Sequence, residues 1–248
     1  MVKDEQGGAL VLVATPIGNL ADMSMRAVEE LSRADTILCE DTRHSATLFR
    51  HYDITTPSTS YGSHNIHSKI PWILEQLAAG RRIALVCDAG TPGISDPGSV
   101  LARAAIDAGF PVEAIPGASA IVLALVLSGL PTDRFAFDGF LPNKKGRQTR
   151  LSELAREPRT IILYESPHRL LKTLAELREH LGNRTAAVAR ELTKIYEEVR
   201  RGTLSEHLDY FTAHPVRGEF VLVVAGTDYR GNPPETTDET HLGGYDDE

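Results

Sequence analysis

Several short stretches of this chain join glycine or proline to polar side chains where an apolar run ends. They are Thr15-Pro16-Ile17-Gly18-Asn19, Glu40-Asp41-Thr42-Arg43, the loop from Asp88 to Gly98, and Pro116-Gly117-Ala118-Ser119. In Asp88-Ala89-Gly90-Thr91-Pro92-Gly93 the two glycines permit positive φ or close approach of backbone to a ligand, and the proline stiffens the turn. Such a loop can be the floor of a small-molecule site, or a tight strand-to-helix connection with nothing bound. A second polar cluster, Arg190-Glu191-Leu192-Thr193-Lys194, closes another apolar run. His64 and His67 form a candidate metal pair, but no third ligand lies near them in sequence, so no metal is expected. Neither a GxGxxG fingerprint nor a Walker lysine is present, which argues against an NAD enzyme and a phosphate-loop NTPase.

The elements that must position these residues alternate between strand and helix. Strands are expected at Ala9–Ala14, Thr36–Cys39, Thr59–Tyr61, Ile83–Val86 and Val112–Ile115, each a short apolar or β-branched run. Helices are expected from an Asp22 cap to Ala34, after Arg43 to about His51, from Pro71 to Ala79, from Asp96-Pro97 to Gly109, and through Leu127. Strand, turn and helix repeated in this way give a mostly parallel sheet flanked by helices, an α/β fold. The polar loops then share the carboxyl edge of that sheet, where open α/β sheets bind ligands.

Gly129-Leu130-Pro131-Thr132-Asp133 breaks the pattern and marks a domain boundary, giving domains 1–128 and 129–228. In the second, strands are expected at Phe135–Leu141, Thr160–Tyr164, Thr185–Ala189 and Glu219–Ala225, with Glu197–Arg201 as a hairpin partner. A helix should follow Arg150, another should start at Ser166-Pro167 and run to Leu181, and a short one should span Leu204 to Phe211. The stripe of Leu170, Leu174, Leu177 and Leu181 has helical spacing and reads as core. Residues 229–248 are Gly-, Pro- and acid-rich and are expected to be a disordered tail.

The 248 residues are 42% hydrophobic, enough for two medium domains. No apolar run approaches the ~20 residues of a membrane span, and Cys39 and Cys87 read as buried free thiols, so a cytoplasmic location is expected. The net charge of −8 does not exclude nucleic acid, because six acidic residues against Arg230 alone concentrate most of it in the tail. Lys144, Lys145, Arg147 and Arg150 meanwhile form a local basic run.

Taken together, PIGNL, CEDTR, DAGTPGISDPG, PGASA, ESPHR and ARELTK resemble the small-subunit rRNA ribose 2′-O-methyltransferases of the tetrapyrrole-methylase-like superfamily. The resemblance runs from about Leu10 to Gly226. It implies two α/β domains of the class III methyltransferase type, with S-adenosylmethionine in the interdomain cleft, usually in a homodimer. It also implies methyl transfer to the 2′-oxygen of a cytidine in 16S rRNA of the 30S subunit near the decoding site, with no DNA or membrane partner. Carried onto this chain, Asp88, Ala89, Gly90, Thr91, Gly93 and Ile94 would line the methionine and sulfonium part of the cofactor, and Pro16 would also bind it. Pro116, Gly117, Ala118 and Ser119 would add backbone groups and a hydroxyl, and Leu163 and Tyr164 would close on the adenine. Cys87 stands where the family leads one to expect serine, an exchange of one small residue for another.

That chemistry needs oxygen, methyl carbon and sulfur in line, and a group that helps remove the hydroxyl proton. Glu40, Asp41 and Glu191 are the candidate proton acceptors or orienters. Arg43 and Lys194 are candidates to hold a phosphate or lower the hydroxyl pKa. Asp41-Arg43 and Glu191-Lys194 can equally be structural ion pairs. Lys144, Lys145, Arg147 and Arg150 are candidates to grip RNA phosphates. A small-molecule, tetrapyrrole-like methyltransferase is the alternative function, and a non-catalytic cofactor- or RNA-binding protein is a third.

Overall fold

The computed structural model describes residues 8–231, and the chain divides into two compact units that part between Ala120 and Ile121. The expected break at Gly129 lies at the far end of a helix, α5 (Ala120–Ser128), rather than before it. Most of the acidic tail lies outside the described residues.

The first unit contains β1 (Ala9–Val13), α1 (Met25–Arg33), β2 (Thr36–Cys39), α2 (Thr42–His51), β3 (Ser58–Ser60), α3 (Ile66–Ala78), β4 (Arg82–Leu85), α4 (Gly98–Asp107) and β5 (Val112–Ile115). Its strands form one sheet in the order β3-β2-β4-β1-β5, and every pairing is parallel. Alternation along the strands divides the core into two layers. Val11, Val13, Ile37, Cys39, Ala84 and Val86 pack with Ala27 and Leu31 of α1 and with Leu48 and Phe49 of α2. Leu10, Leu38, Ile83 and Leu85 pack on the other side with Ile73 and Leu77 of α3 and Leu101 of α4. The chain therefore leaves β4 toward one face and leaves both of its neighbours, β1 and β2, toward the other. Divergent connections of this kind open a crevice at the carboxyl end of the central strand. The Asp88 loop begins there.

The second unit holds β6 (Phe135–Phe140), α6 (Arg147–Leu154), β7 (Thr160–Glu165), α7 (Leu170–Leu181), β8 (Thr185–Arg190), β9 (Glu198–Thr203), α8 (Leu204–Ala213) and β10 (Phe220–Val224). The order is β6-β7-β10-β8-β9, with β6 parallel to β7 and the other pairs antiparallel. This is the expected mixed sheet. Ile161, Leu163, Val188, Leu222 and Val224 pack beneath α6, α7 and α8, and the leucine stripe of α7 is core as expected. Thr203 and Glu206 form a reciprocal capping box at the start of α8.

Local details differ from the sequence reading. Ser24, not Asp22, caps α1, its hydroxyl accepting from the Ala27 N–H at 3.2 Å. Asp22 lies in a preceding 3₁₀ turn capped by Asn19. α3 starts at Ile66 and carries Pro71 in its interior, because Ile66, Ile73 and Leu77 bury enough surface to hold the helix despite one missing donor. Ser166-Pro167 forms a turn before α7, and α6 already begins at Arg147. Cys39 and Cys87 are buried free thiols. Burial pushes their pKa values up to about 11 and about 12, so neither is a reactive thiolate.

Candidate active site

Four loops meet at the carboxyl edge of the first sheet, where the sequence places them. Thr15 and Gly90 exchange main-chain hydrogen bonds of 2.9 and 3.1 Å, which holds the loop after β1 against the loop after β4. The buried Thr15 hydroxyl adds a bond of 3.2 Å to the Cys87 carbonyl. The Asp41 N–H donates to Asp88 Oδ1 at 3.2 Å, bringing in the loop after β2. The loop after β5 packs close beneath: a Cβ on Gly117 would lie 2.8 Å from Cβ of Ala14. Gly90 has φ +81°, and a Cβ there would touch Ile17 and the Ala118 carbonyl. Pro16, Ala89, Thr91, Pro116 and Ser119 belong to these same loops, and Ile94 is exposed.

Asp96 closes the Asp88 loop on itself. Its carboxylate accepts from the Gly93 N–H at 2.8 Å and from the Gly98 N–H at 2.6 Å at the start of α4. Ser95 between them has φ +62°, a strained conformation for a residue with a side chain. The expected cap at Asp96 with Pro97 as the first helical residue is shifted by one: α4 begins at Gly98 with Pro97 in the cap position and no side-chain cap bond, and Asp96 ties the loop instead. The sequence expectations also did not include the part played by Thr15. A buried threonine ending an apolar strand is the signal that marked it.

The candidate catalytic residues fall into different situations. Glu40 is half-buried and makes no hydrogen bond or ion pair among the described residues. Burial, followed by the charges of Asp88 and Asp96, raises its carboxyl pKa. Asp41 caps α2 by accepting from the Arg43 N–H at 2.8 Å, and it pairs with the Arg43 guanidinium at 2.8 Å. Those bonds lower its pKa to about 2. His64 and His67 join no group able to hold a metal, and no such group exists among the described residues.

In the second unit, Glu191 accepts from Lys194 Nζ at 3.0 Å and from the Glu219 N–H at 2.9 Å, and Lys194 also reaches Glu219 at 2.8 Å. Burial alone would raise Glu191, but the Glu219 N–H and the ammonium outweigh it and leave the pKa lowered. Burial would likewise lower Lys194, but the two carboxylates outweigh it and raise the pKa. Glu191 and Thr193 have φ of +49° and +67°. The Leu163 side chain is fully buried on the helix side of the sheet, so only its backbone is placed to meet a ligand on the other face. Tyr164 is on the opposite face, edge-on to Phe137 at 5.1 Å and close to Phe140.

The basic run divides. Arg147 is 3% exposed. It donates to Glu176 at 2.8 Å, to the Thr173 hydroxyl at 2.8 Å and to the Pro142 carbonyl at 3.0 Å. This corrects its assignment as a phosphate contact: it is a buried brace. Arg150 pairs with Asp138 and Glu153 on the side of α6 and is held there by charge. Lys144 and Lys145 are exposed and make no ion pair among the described residues.

Residues 9–207 match the family model described as Tetrapyrrole (Corrin/Porphyrin) Methylases. A Synechocystis protein named ribosomal RNA small subunit methyltransferase I is 55% identical over 91% of this chain and 82% of its own length. The chain belongs to that methyltransferase family. A Halalkalibacterium halodurans relative of the same name is 49% identical over 92% of this chain and 79% of its own. Among solved structures, diphthine synthase matches with a TM-score of 0.69 at 14% identity, covering 88% of this chain and 90% of that one. A Thermus thermophilus uroporphyrin-III C-methyltransferase complexed with S-adenosyl homocysteine matches with a TM-score of 0.60 at 19% identity, covering 88% and 97%. These two share the fold of this methyltransferase family.

Proposed function

We propose that this chain transfers the methyl group of S-adenosylmethionine to the 2′-oxygen of a cytidine ribose in 16S rRNA of the small ribosomal subunit, near the decoding site. The observation that carries the reading is the four-loop cluster around Asp88 in a chain 55% identical to a named small-subunit rRNA methyltransferase. The edge suits the cofactor's charge. Glu40, Asp88 and Asp96 lie there, and Arg43 is neutralised by Asp41, which favours a ligand with an ammonium and a sulfonium. When bound, the cofactor supplies an electrophilic methyl carbon.

The chain's own part is to orient the acceptor and receive a proton. Glu40 is the carboxylate free to do so, since Asp41 and Glu191 are bound in ion pairs with Arg43 and Lys194. Each of those pairs shapes the loop that carries it. We further propose that the protein works in the cytoplasm as a homodimer, supported by Val122 and Val126, which leave an apolar face of α5 open to solvent.

The test is methyl transfer from labelled S-adenosylmethionine to 30S particles and to bare 16S rRNA, with the modified ribose mapped. Label at a cytidine 2′-oxygen is the expected result. No transfer to either RNA, with cofactor binding intact, would redirect the search to a small-molecule acceptor.

A further inference from the structure

We propose that Lys144, Lys145 and His168 form a single phosphate-gripping edge for RNA, presented by two adjacent loops that partly buried arginine–glutamate pairs hold together. The proposal rests on the reading that the acceptor is ribosomal RNA, and it adds a contact residue, His168, and a reason for the placement of all three.

β6 and β7 are parallel neighbours, so the loops that follow them emerge at the same edge of the sheet. The first loop carries Lys144 and Lys145, and the second, Ser166-Pro167-His168-Arg169, carries the histidine. Two arginines join the loops from beneath. Arg169 donates to the Leu141 carbonyl and pairs with Glu165 at 3.3 Å. Arg147 donates to the next carbonyl, Pro142, and to Glu176. Thr173 links the two pairs, donating to Glu165 and accepting from Arg147. Arg147, Glu165 and Thr173 are all buried.

Burying Arg147 and Glu165 against half-buried partners is no efficient way to stabilise a fold, because desolvation offsets much of the attraction. What the network does achieve is to fix the carbonyls of Leu141 and Pro142, which only Asn143 separates from the lysines. Gly146, at φ +83°, then turns the chain into α6. The exposed tip is left with Lys144 and Lys145, and His168 is exposed on the neighbouring loop. None of the three has an ion-pair partner among the described residues, whereas Glu165 and Glu176 are engaged by the arginines. The edge is therefore positive on a firm base, the arrangement that phosphate contacts need.

The experiment measures binding of 30S particles and of 16S rRNA by the full chain over a salt series. Each lysine replaced by glutamine should reduce the slope of log K against log salt by about one. His168→Gln should weaken binding several-fold. Arg147→Lys keeps its charge but loses the fork that holds Pro142 and Glu176. It should weaken binding without changing the slope, with its melting temperature recorded alongside. Arg103→Gln, an exposed change on α4, should leave both slope and affinity unchanged. A Lys144→Gln/Lys145→Gln protein with wild-type slope and intact methyl transfer would overturn the edge while sparing the rRNA reading. Loss of slope for an acidic protein partner in place of RNA would overturn it too. Failure of the wild-type chain to bind or methylate either RNA would overturn both.

Discussion

The main-chain N–H of Asp41 donates to Oδ1 of Asp88, so the carboxylate that ends the central strand β4 also fixes the loop after its neighbour β2. The bond joins residues 47 positions apart and sets where Glu40, one residue earlier, meets solvent. A carboxylate in this role both shapes the edge and gives it charge.

Replacing Asp88 separates those two contributions. Asp88→Asn keeps an oxygen acceptor for the Asp41 N–H but removes the charge, and Asp88→Ala removes both. Binding of S-adenosylhomocysteine by calorimetry should weaken in both variants, and by roughly 1–2 kcal/mol more in the alanine variant, which loses the loop tie as well. Equal affinities for the two variants would show that the tie is irrelevant to the cofactor.

Glu40→Gln tests the proton acceptor and carries a pH signature. Burial and the neighbouring carboxylates raise the Glu40 pKa in the folded chain, so the folded state holds this proton more tightly than the unfolded chain does. Its contribution to stability therefore declines as pH rises through the folded pKa, and the ionised form is a burden at neutral pH. The glutamine variant should melt higher than wild type at pH 7 and show no such gain at pH 4. Methyl transfer should fall by roughly 10²- to 10⁴-fold, far more than cofactor affinity, which loses only one of three nearby carboxylate charges. A variant that keeps its activity would remove Glu40 from the chemistry.

Gly218 supports the other polar cluster. Its φ is +91°, and a Cβ would lie 2.5 Å from Cγ of Glu191. Gly218→Ala should strain the backbone and displace the Glu191 carboxylate from Lys194, destabilising the fold by about 1–3 kcal/mol. Denaturant unfolding reads the loss, and an unchanged midpoint would mean the strand end relaxes freely.

Much of this was legible in the chain because it is local. The apolar runs at Ala9–Val13 and Ile83–Leu85 announce buried parallel strands, and once strand and helix alternate the polar loops must share an edge. The partition of the basic run was not legible. Nothing near Arg147 in sequence shows that Glu176 and Thr173, on the following helix, will enclose it. Leu163 and Tyr164 are adjacent in sequence, and only strand phase assigns one to the core and the other to the opposite face. Pro71 misplaced the start of α3 because a proline usually opens a helix, whereas here the burial of Ile66 extends the helix back past it. Asp41 and Glu191 looked alike as carboxylates at strand ends, and it is their ion pairs, set against the isolation of Glu40, that separates them.

His207 gives the fold an acid-sensitive point of its own. It is 2% exposed on α8, and its Nε2 lies 3.0 Å from the Ala186 carbonyl. A carbonyl only accepts, so Nε2 carries a proton, and in the neutral ring Nδ1 is bare. Burial lowers its pKa, and although the Ala186 carbonyl opposes this, the Arg200 charge adds to the lowering. The unfolded chain takes up a proton near the ordinary histidine value of about 6.5, and the folded chain resists it. Stability should therefore fall as pH drops below that value, by up to about 1.4 kcal/mol per pH unit until the folded ring also protonates. His207→Gln can keep a donor toward the carbonyl and cannot titrate. Its melting temperature should fall less than that of wild type between pH 7.5 and pH 5.5. Parallel curves for the two proteins would place the acid sensitivity elsewhere among the histidines.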